Sequence, residues 1–277
     1  MVKLTYAKAV VSTNDSAEIN GVLIFAHPPS IHISFVALYA VEESCRGQGI
    51  GRKMWSVMEH NTDSSRIRVI HSYDDMTPKY RASGFPVPGE TFKRISGSVS
   101  QLKIALEEAI STMSTEQLST NLIRAIPTEV TIESITEFDR TIVPFERSAF
   151  LDAFFSFANG KAIVKSDRDK ETVIAYGGTN PAFNENEMKI GPIYATDFND
   201  VILLLHALIV DSTKSHYDLG FPFDSENGQR FAEFLCTKAG AKLGEKRVSR
   251  SFSRRLDCKI DWSRVFALSG HYTAPLT

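Results

Sequence analysis

The sequence lacks the cysteine pattern of a disulfide-stabilised or zinc-binding protein. Its three cysteines, Cys45, Cys236 and Cys258, are an odd number, lie far apart and form no C-x-x-C pair. A disulfide framework needs paired cysteines, and a structural zinc site needs closely spaced ligands. We therefore expect neither disulfides nor a bound metal. We expect Cys45 to be a solvent-facing residue without a catalytic role, in preference to a nucleophile, because no histidine lies near it in the sequence.

The sequence also lacks a long hydrophobic run. The longest apolar stretch, residues 201–210, is interrupted by His206 and has about half the length that a membrane-spanning helix needs. It predicts a buried helix instead. The first residues contain no apolar segment of the signal-peptide type. We expect no membrane partner and a cytoplasmic location, with the nucleus as the alternative.

An excess of one charge is missing as well. The 31 lysines and arginines are balanced by 33 aspartates and glutamates, for a formal net charge of -2. Such a chain has no general field that would gather nucleic acid or an acidic membrane. We expect no nucleic-acid partner, and any anion site must be local.

Length and composition are those of an ordinary globular protein. The chain has 277 residues, about twice a typical domain, so two domains are expected and one long domain is the alternative. With 43% hydrophobic and 23% charged residues, the chain has enough apolar side chains for normal cores.

The first half predicts a sheet with helices. Up to residue 41, runs of β-branched and aromatic residues separated by turn signals predict strands. Residues 31–41 are apolar on both faces, as in a central strand that is covered on both sides. A glycine-rich segment follows, and after it a helix is predicted by apolar residues at helical spacing, namely Ile50, Met54, Val57 and Met58.

The second half repeats this order of elements. A Ser/Thr-rich stretch ending at Pro127 predicts a boundary, which divides the chain into a domain over 1–110, a linker over 111–128 and a domain over 129–277. The second half follows the order of the first with one more helical layer at its start, which predicts a tandem of one fold. The expected class is α/β, of the α+β kind with a mixed sheet in each domain.

The glycine-rich segment predicts a local anion site. Gly47, Gly49 and Gly51 lie between strand and helix, where backbone N–H groups and the helix dipole favour an anion. A Walker loop does not fit these residues, and a dinucleotide fingerprint needs a glycine at the position of Arg52. A tight glycine turn without a ligand is the structural alternative.

Two motifs resemble the GCN5-related N-acetyltransferase (GNAT) superfamily. The family's acyl-CoA loop reads [QR]-x-x-G-x-[GA] after its fourth strand, and here that loop is Arg46, Gly47, Gln48, Gly49, Ile50 and Gly51. Family members commonly carry a pair of small apolar residues that ends in Val five residues before this Arg, and here that pair is Ala40 and Val41. The family's Y-x-x-x-G-F helix is matched by residues 80–85, beginning with Tyr80. The two motifs stand in the family's order, on the expected elements.

The resemblance implies acetyl-CoA as co-substrate. It implies that residues 46–51 bind the CoA pyrophosphate through their backbone, with Arg52 as a charge partner. The backbone N–H near Val41 would meet the thioester carbonyl and polarise it. Tyr80 would be the general acid for the departing thiolate. The structural alternative for Tyr80 is an aromatic residue that packs its short helix.

A general base is not evident. Family members that use one carry it on the fourth strand, at positions that here hold Phe35 and Ala37. The substitutes to test are His32, Ser34 and Glu42, although His32 is more typical of a strand-end histidine.

The chain departs from the family pattern in both halves. The first half lacks the initial strand and two helices that build the acceptor pocket in the family. The second half resembles a C-terminal YitH-type acetyltransferase-like domain, as in nematode proteins, but has Asp197 and Asp200 where the CoA loop should lie. Asp197 would cap the helix and repel pyrophosphate. We expect a degenerate copy that contributes shape, with an acceptor pocket at Arg140, Arg147, Tyr176 and Tyr194, or with these residues as core and surface bystanders.

The leading hypothesis is an acyl-CoA-dependent N-acyltransferase that acetylates a primary amine of a small molecule or peptide. The first alternative is a catalytically weak or inactive CoA-binding or scaffolding protein. The second is an interaction module in which both halves are structural. Acceptor specificity in this fold depends on loops, so the motifs do not name the acceptor.

Overall fold

The computed structural model describes residues 6–28, 30–167 and 170–268. The chain divides into two compact units. Unit 1 is Met1–Gly89 with Val248–Asp257, and unit 2 is Glu90–Arg247 with Cys258–Thr277. Within the described ranges, no helix is both long and apolar enough to cross a membrane. The first strand predicted from the sequence covers residues 4–12, and its residues 4 and 5 lie outside the described residues.

Strands and helices follow one another in the order that the sequence predicts for the first half. In chain order they are β1 (Ala7–Thr13), β2 (Ile19–Ala26), β3 (Ile33–Val41), a 3-10 helix (Glu43–Cys45), α1 (Ile50–His60), β4 (Ile67–Tyr73), α2 (Thr77–Ala82) and β5 (Val87–Ser98).

The rest of the chain adds six helices and seven strands, counting only described residues and leaving out the 3-10 helix. In chain order they are α3 (Val99–Ser111), α4 (Thr115–Thr120), β6 (Asn121–Ile126), α5 (Ile132–Arg140), α6 (Ser148–Phe155), β7 (Asn159–Asp167), β8 (Lys170–Pro181), β9 (Glu187–Ala195), α7 (Phe198–Ile209), β10 (His216–Pro222), α8 (Glu226–Lys238), β11 (Lys242–Phe252), a 3-10 helix (Trp262–Arg264) and β12 (Val265–Ala267).

Unit 1 is a mixed sheet with α1 on one face. β1, β2 and β3 pair antiparallel, β3 and β4 pair parallel, and the end of β11 pairs antiparallel with β4. Met54 and Met58 of α1 are buried against Leu23 and Phe25 of β2. Val57, which the helical spacing placed on the same face, is 45% exposed, because it lies at the edge of that face, about 60° round the helix from Met54.

Unit 2 is also a mixed sheet. Its strands lie in the order β6, β7, β8, β9, β10 and β5, and only β9 and β10 pair parallel among these described strands. The residues 201–210 form most of α7, which is buried at Val201, Leu204 and Leu205. The predicted buried helix is therefore confirmed, and so is the α/β class with mixed sheets.

The division into units differs from the domain limits 1–110, 111–128 and 129–277. The expected linker contains α4 and β6, and β6 pairs with β7 from Asn121 to Ile126. The first unit ends at Gly89 and regains residues 248–257, because β11 pairs with β4. The Ser/Thr-rich composition predicted a linker, but residues 121–126 form a strand because they pair with the distant strand β7.

Candidate functional site

Two parallel strands of unit 1 separate along their length. The ladder between β3 and β4 runs from Ile33 and Ile67 to Val36 and Ile70, and within the described residues it ends there. The register between β2 and β3 shifts next to Val36, with one extra residue, Ala37, on β3. Such a bulge bends its strand and increases its twist. Residues 37–41 of β3 and 71–73 of β4 therefore face each other without a shared ladder.

The backbone of Val41 points towards this separation. The Glu42 N–H donates to the Asn20 carbonyl on β2 at 2.9 Å. Since successive residues of a strand direct their N–H and C=O groups to alternate edges, those of Val41 point away from β2. The Val41 carbonyl accepts a 3.1 Å hydrogen bond from Arg46 Nε. The Val41 N–H therefore points to the same edge, as the resemblance requires.

The loop at residues 42–49 leads from this edge to α1. Its 3-10 helix is closed by the Arg46 N–H, which donates to the Glu43 carbonyl at 3.2 Å. The Arg46 N–H is thus already bonded, which departs from the expectation that it binds an anion. Gly47 and Gly49 follow with φ of 79° and 80°, a left-handed conformation that glycine adopts without strain.

The N-terminus of α1 has no side-chain cap. Gly49 is its N-cap residue, and the Lys53 N–H donates to the Gly49 carbonyl as the first bond of the helix. The N–H groups of Ile50, Gly51 and Arg52 therefore point out of the helix end, as in every uncapped helix. Together with the helix dipole, these groups form a surface that attracts an anion.

Basic side chains surround this helix end. Arg46, Arg52 and Lys53 are exposed, and the first turn of α1 contains no acidic residue. Glu42 and Glu43 precede the loop and offset part of this charge. Lys53 was not singled out from the sequence, although its place in the first helical turn was visible there.

An aromatic cluster lies between α1 and α2. Trp55 is its centre, with ring centroids at 5.4 Å from Tyr39, 6.0 Å from Tyr80 and 5.8 Å from Phe85. Gly51 lies beside it, and a Cβ there would meet the Tyr39 hydroxyl, so the Tyr39 ring would have to move for a larger residue. Tyr39 and Trp55 were missed in the sequence because no motif marks them.

Tyr80 is held as a neutral phenol. Burial, with a smaller contribution from Tyr39, raises the pKa of Tyr80 to about 12. The structure thus places Tyr80 next to Tyr39, which is on β3 two residues before Val41. Both interpretations of Tyr80 remain supported. Its ring stacks on Trp55, as expected of a packing residue, and its hydroxyl stays protonated at neutral pH, as a proton donor requires.

The candidate bases are separated by the structure. His32 Nε2 lies 2.9 Å from Ser65 Oγ, and Ser34 Oγ lies 2.8 Å from His27 Nδ1. Both stand at the start of β3, and His32 is about 30 Å of extended strand away from Val41. Glu42, which follows Val41 directly and is exposed, is the one of the three that lies near the loop. Among the described residues no cluster of three or more His, Cys, Asp or Glu could hold a metal ion.

The corresponding turn of unit 2 is built differently. Only Thr196 and Asp197 separate β9 from α7, and the Asp197 carboxylate accepts hydrogen bonds from the N–H groups of Asn199 and Asp200 at 2.8 and 3.1 Å. The cap expected from the sequence is therefore present. It occupies the helix end that α1 leaves uncapped.

The expected acceptor pocket of unit 2 is core. Arg147, Tyr176 and Tyr194 are buried, and Arg147 Nε donates to Asp139 Oδ2 at 2.9 Å. The Tyr176 hydroxyl donates to the same carboxylate. Arg140 is on the surface, paired with Glu146. The four residues therefore fit the alternative interpretation, in which they are core and surface residues and do not form an acceptor pocket. The buried Arg147 charge is already paired with Asp139.

Comparisons with known proteins agree with this architecture. Residues 135–243 match the family described as an acetyltransferase (GNAT) domain. A putative acetyltransferase from Pyrococcus horikoshii superposes with a TM-score of 0.63 at 12% identity, over 92% of this chain and 76% of that one. A tandem GNAT protein from the clavulanic acid biosynthesis pathway gives 0.63 at 10% identity, over 91% and 85%. A GCN5-related N-acetyltransferase from Sphaerobacter thermophilus gives 0.57 at 14% identity, over 90% and 82%.

No curated protein matches the chain. The family match lies in the second half, whereas the glycine loop lies in the first. The YitH-type resemblance of the second half stays a prediction. Residues 135–243 are thus similar to a GNAT acetyltransferase domain, and the chain as a whole has a fold similar to that of a tandem GNAT protein.

Proposed function

We propose that unit 1 binds an acyl-CoA, acetyl-CoA in the first place, and transfers its acyl group to a primary amine of a small molecule or peptide. The observation that carries the proposal is the uncapped, glycine-led N-terminus of α1 at the point where β3 and β4 have separated. GNAT domains generally use acetyl-CoA, and the chain has their fold.

The loop and the first turn of α1 fit a pyrophosphate. Gly47 and Gly49 have open space where a Cβ would stand, so a ligand meets backbone and no side chain there. The N–H groups of residues 47–52 would donate to phosphate oxygens, and the helix dipole would stabilise the charge. Arg52 and Lys53 would add charge at the rim, and Arg46 would contribute through its guanidinium.

The separated strands fit the amide-bearing arm of CoA. Unpaired N–H and C=O groups at a strand edge are best satisfied by an extended chain that carries amides. Residues 37–41 of β3 offer such an edge, apart from the Val41 carbonyl that accepts from Arg46, and it leads directly to the loop. The Val41 N–H would then donate to the thioester carbonyl and stabilise the negative charge that develops as the amine attacks.

Tyr80 would act on the leaving thiolate. A thiol has an ordinary pKa near 8.5, well below the value of about 12 for Tyr80. Full proton transfer from Tyr80 to the thiolate is therefore uphill in this environment. Tyr80 serves better as a hydrogen-bond donor that stabilises the thiolate, and its high pKa keeps the donor proton in place at every physiological pH.

A CoA-binding protein with weak or no catalysis is the second candidate. The sheet face of unit 1 opposite α1 carries Val11 and Leu38, which are 49% and 42% exposed. Neither of the two described helices of unit 1 covers it, since α1 packs on Leu23 and Phe25 and the Tyr80 ring of α2 stacks on Trp55 of α1. The described helices of unit 1 thus provide no acceptor wall on this face, and of the three candidate bases only Glu42 lies at the loop.

Two measurements separate the candidates. Calorimetric titration with acetyl-CoA tests binding, and thiol release with a panel of amines tests transfer. Binding with amine-dependent thiol release supports the transferase. Binding with only slow, amine-independent release supports the second candidate, and no binding contradicts both.

A further inference from the structure

The parallel strands of unit 2 separate in the same way as those of unit 1. The ladder between β9 and β10 ends at Lys189 and Asp218. The register between β8 and β9 shifts directly afterwards, with an extra residue on β9 at Gly191 and Pro192. β9 and β10 thus correspond to β3 and β4, and α7 corresponds to α1.

In unit 2 a strand of the chain itself lies in this separation. β12 pairs antiparallel with β9, Val265 with Tyr194 and Ala267 with Ile193. On its other side, the Leu268 N–H donates to the Gly220 carbonyl of β10 at 2.8 Å. Residues 265–268 are at most 2% exposed. The edges of both strands are thereby satisfied by an extended peptide.

The surroundings of β12 are shaped for it. Gly191 has a φ of 135°, and a Cβ there would lie 2.0 Å from the Leu268 carbonyl oxygen, so only glycine fits. Phe266 packs between the two helices, with ring centroids at 6.2 Å from Phe198 of α7 and 6.1 Å from Phe231 of α8.

The segment leading to β12 is fastened to unit 2. The Trp262 carbonyl accepts from Ser225 Oγ at 2.9 Å, and the Ser263 carbonyl accepts from Asn227 Nδ2 at 2.6 Å. The Asp261 N–H donates to the Ile142 carbonyl at 2.9 Å. Bonds to three separate backbone groups hold the 3-10 helix against α8 and the end of α5, and β12 follows it directly.

We propose that the separation between β9 and β10 is a strand-binding site whose ligand is this chain's own segment 265–268. The segment takes the place that the amide arm of an acyl-CoA would take, so unit 2 is closed to CoA by β12 as well as by the Asp197 cap. In combination with the proposed function of unit 1, the chain binds one CoA and not two.

Hydrogen exchange of the full-length chain tests the strand without any reference to CoA. The amides of residues 265–268 are expected to be protected as strongly as those of β9 in the absence of ligand, and their protection is expected to stay the same with saturating acetyl-CoA. Exchange of these amides at the rate of unstructured peptide, or a change in them on CoA binding, would overturn the proposal.

The full-length Asp197→Gly variant tests closure separately. Glycine removes the carboxylate but remains an acceptable N-cap, so the fold is retained. With β12 in place the variant still binds the same number of CoA molecules as the wild type, whereas one additional equivalent would overturn the proposal. If the wild type binds no CoA at all, the proposed function of unit 1 fails, and the exchange of residues 265–268 still decides the question of β12.

Discussion

Gly49 is the residue at which charge can be tested with little change in shape. Its φ of 80° is tolerated by Asn and Asp better than by other side chains, and no atom lies within 4 Å of an added Cβ. Gly49→Asp and Gly49→Asn therefore have similar strain and differ in one charge. We expect the aspartate to weaken acetyl-CoA binding by at least about tenfold more than the asparagine, which corresponds to about 1.4 kcal/mol.

The measurement is calorimetric titration of both variants, with thermal unfolding as the control. Both melting temperatures should fall by a similar few degrees. Equal CoA affinity in the two variants would show that the loop does not hold the pyrophosphate.

A substitution at Tyr80 distinguishes an effect on catalysis from an effect on acetyl-CoA binding. Tyr80→Phe keeps the ring that stacks on Trp55 at 6.0 Å and removes only the hydroxyl. If that hydroxyl stabilises the thiolate through a hydrogen bond, kcat should fall by roughly 10² to 10³, while acetyl-CoA affinity changes little. Steady-state kinetics with the best amine of the panel measures the effect.

Tyr39→Phe is the matched control, since Tyr39 belongs to the same aromatic cluster. Its kcat should fall by less than that of Tyr80→Phe. Equal, near-background turnover in wild type and Tyr80→Phe would favour the CoA-binding protein without catalysis.

At the start of α7 a carboxylate of the chain itself occupies the helix N-terminus where an anion would otherwise bind. Asp197 accepts two N–H groups of the first turn, so Asp197→Ala should lower the free energy of unfolding by about 0.5 to 2 kcal/mol. Asp197→Asn, which keeps a capping oxygen, should lose less. Denaturant unfolding measures both, and a change in CoA affinity with Asp197→Ala would contradict the assignment of CoA to unit 1.

Asp200 makes the stability of the same element depend on pH. Burial, followed by the neighbouring Asp197, raises the pKa of Asp200 to about 7, and the Asn121 amide donates to Asp200 Oδ1 at 2.8 Å. The folded state then holds a proton that the unfolded state releases above its ordinary pKa near 4. Stability falls as pH rises from about 4 to about 7 and levels off above.

Asp200→Asn cannot ionise, so it should be more stable than wild type at pH 8 by about 2 to 4 kcal/mol and similar to wild type at pH 4. Unfolding curves at the two pH values provide the comparison. A wild type and variant that respond equally to pH would mean that Asp200 is ionised normally in the fold.

The local elements were largely predictable from the sequence. The strand before the glycine loop, the helix after it and the buried α7 follow from apolar spacing and glycine placement over short distances. The partners of β11 and β12 were not predictable, because these strands pair with β4 and β9 across long stretches of chain through contacts that no local pattern encodes. Trp55 and Tyr39 gain their place in the candidate site through folding alone, whereas the place of Lys53 in the first helical turn was visible in the sequence.

At the scale of the whole molecule, the two similar units differ in whether their helix N-terminus and their separated strands can accept a ligand. In unit 1 the helix end at Gly49 is uncapped and residues 37–41 lack a ladder to β4. In unit 2 Asp197 caps the helix and β12 pairs with β9. The first arrangement is visible in the sequence because glycines mark it. Of the second, the capping aspartate is visible in the sequence, whereas the pairing of β12 with β9 is not.

The most direct test of the account is the stoichiometry of acetyl-CoA binding to the full-length chain. Calorimetric titration of the wild type should give one equivalent of acetyl-CoA per chain, with an affinity that weakens as salt is raised because the pyrophosphate meets a positive helix end. The same titration of Gly49→Asp should show that this single site binds at least about tenfold more weakly than it does in Gly49→Asn. An absence of binding to the wild type, a stoichiometry of two, or an unaltered affinity in Gly49→Asp would contradict the account.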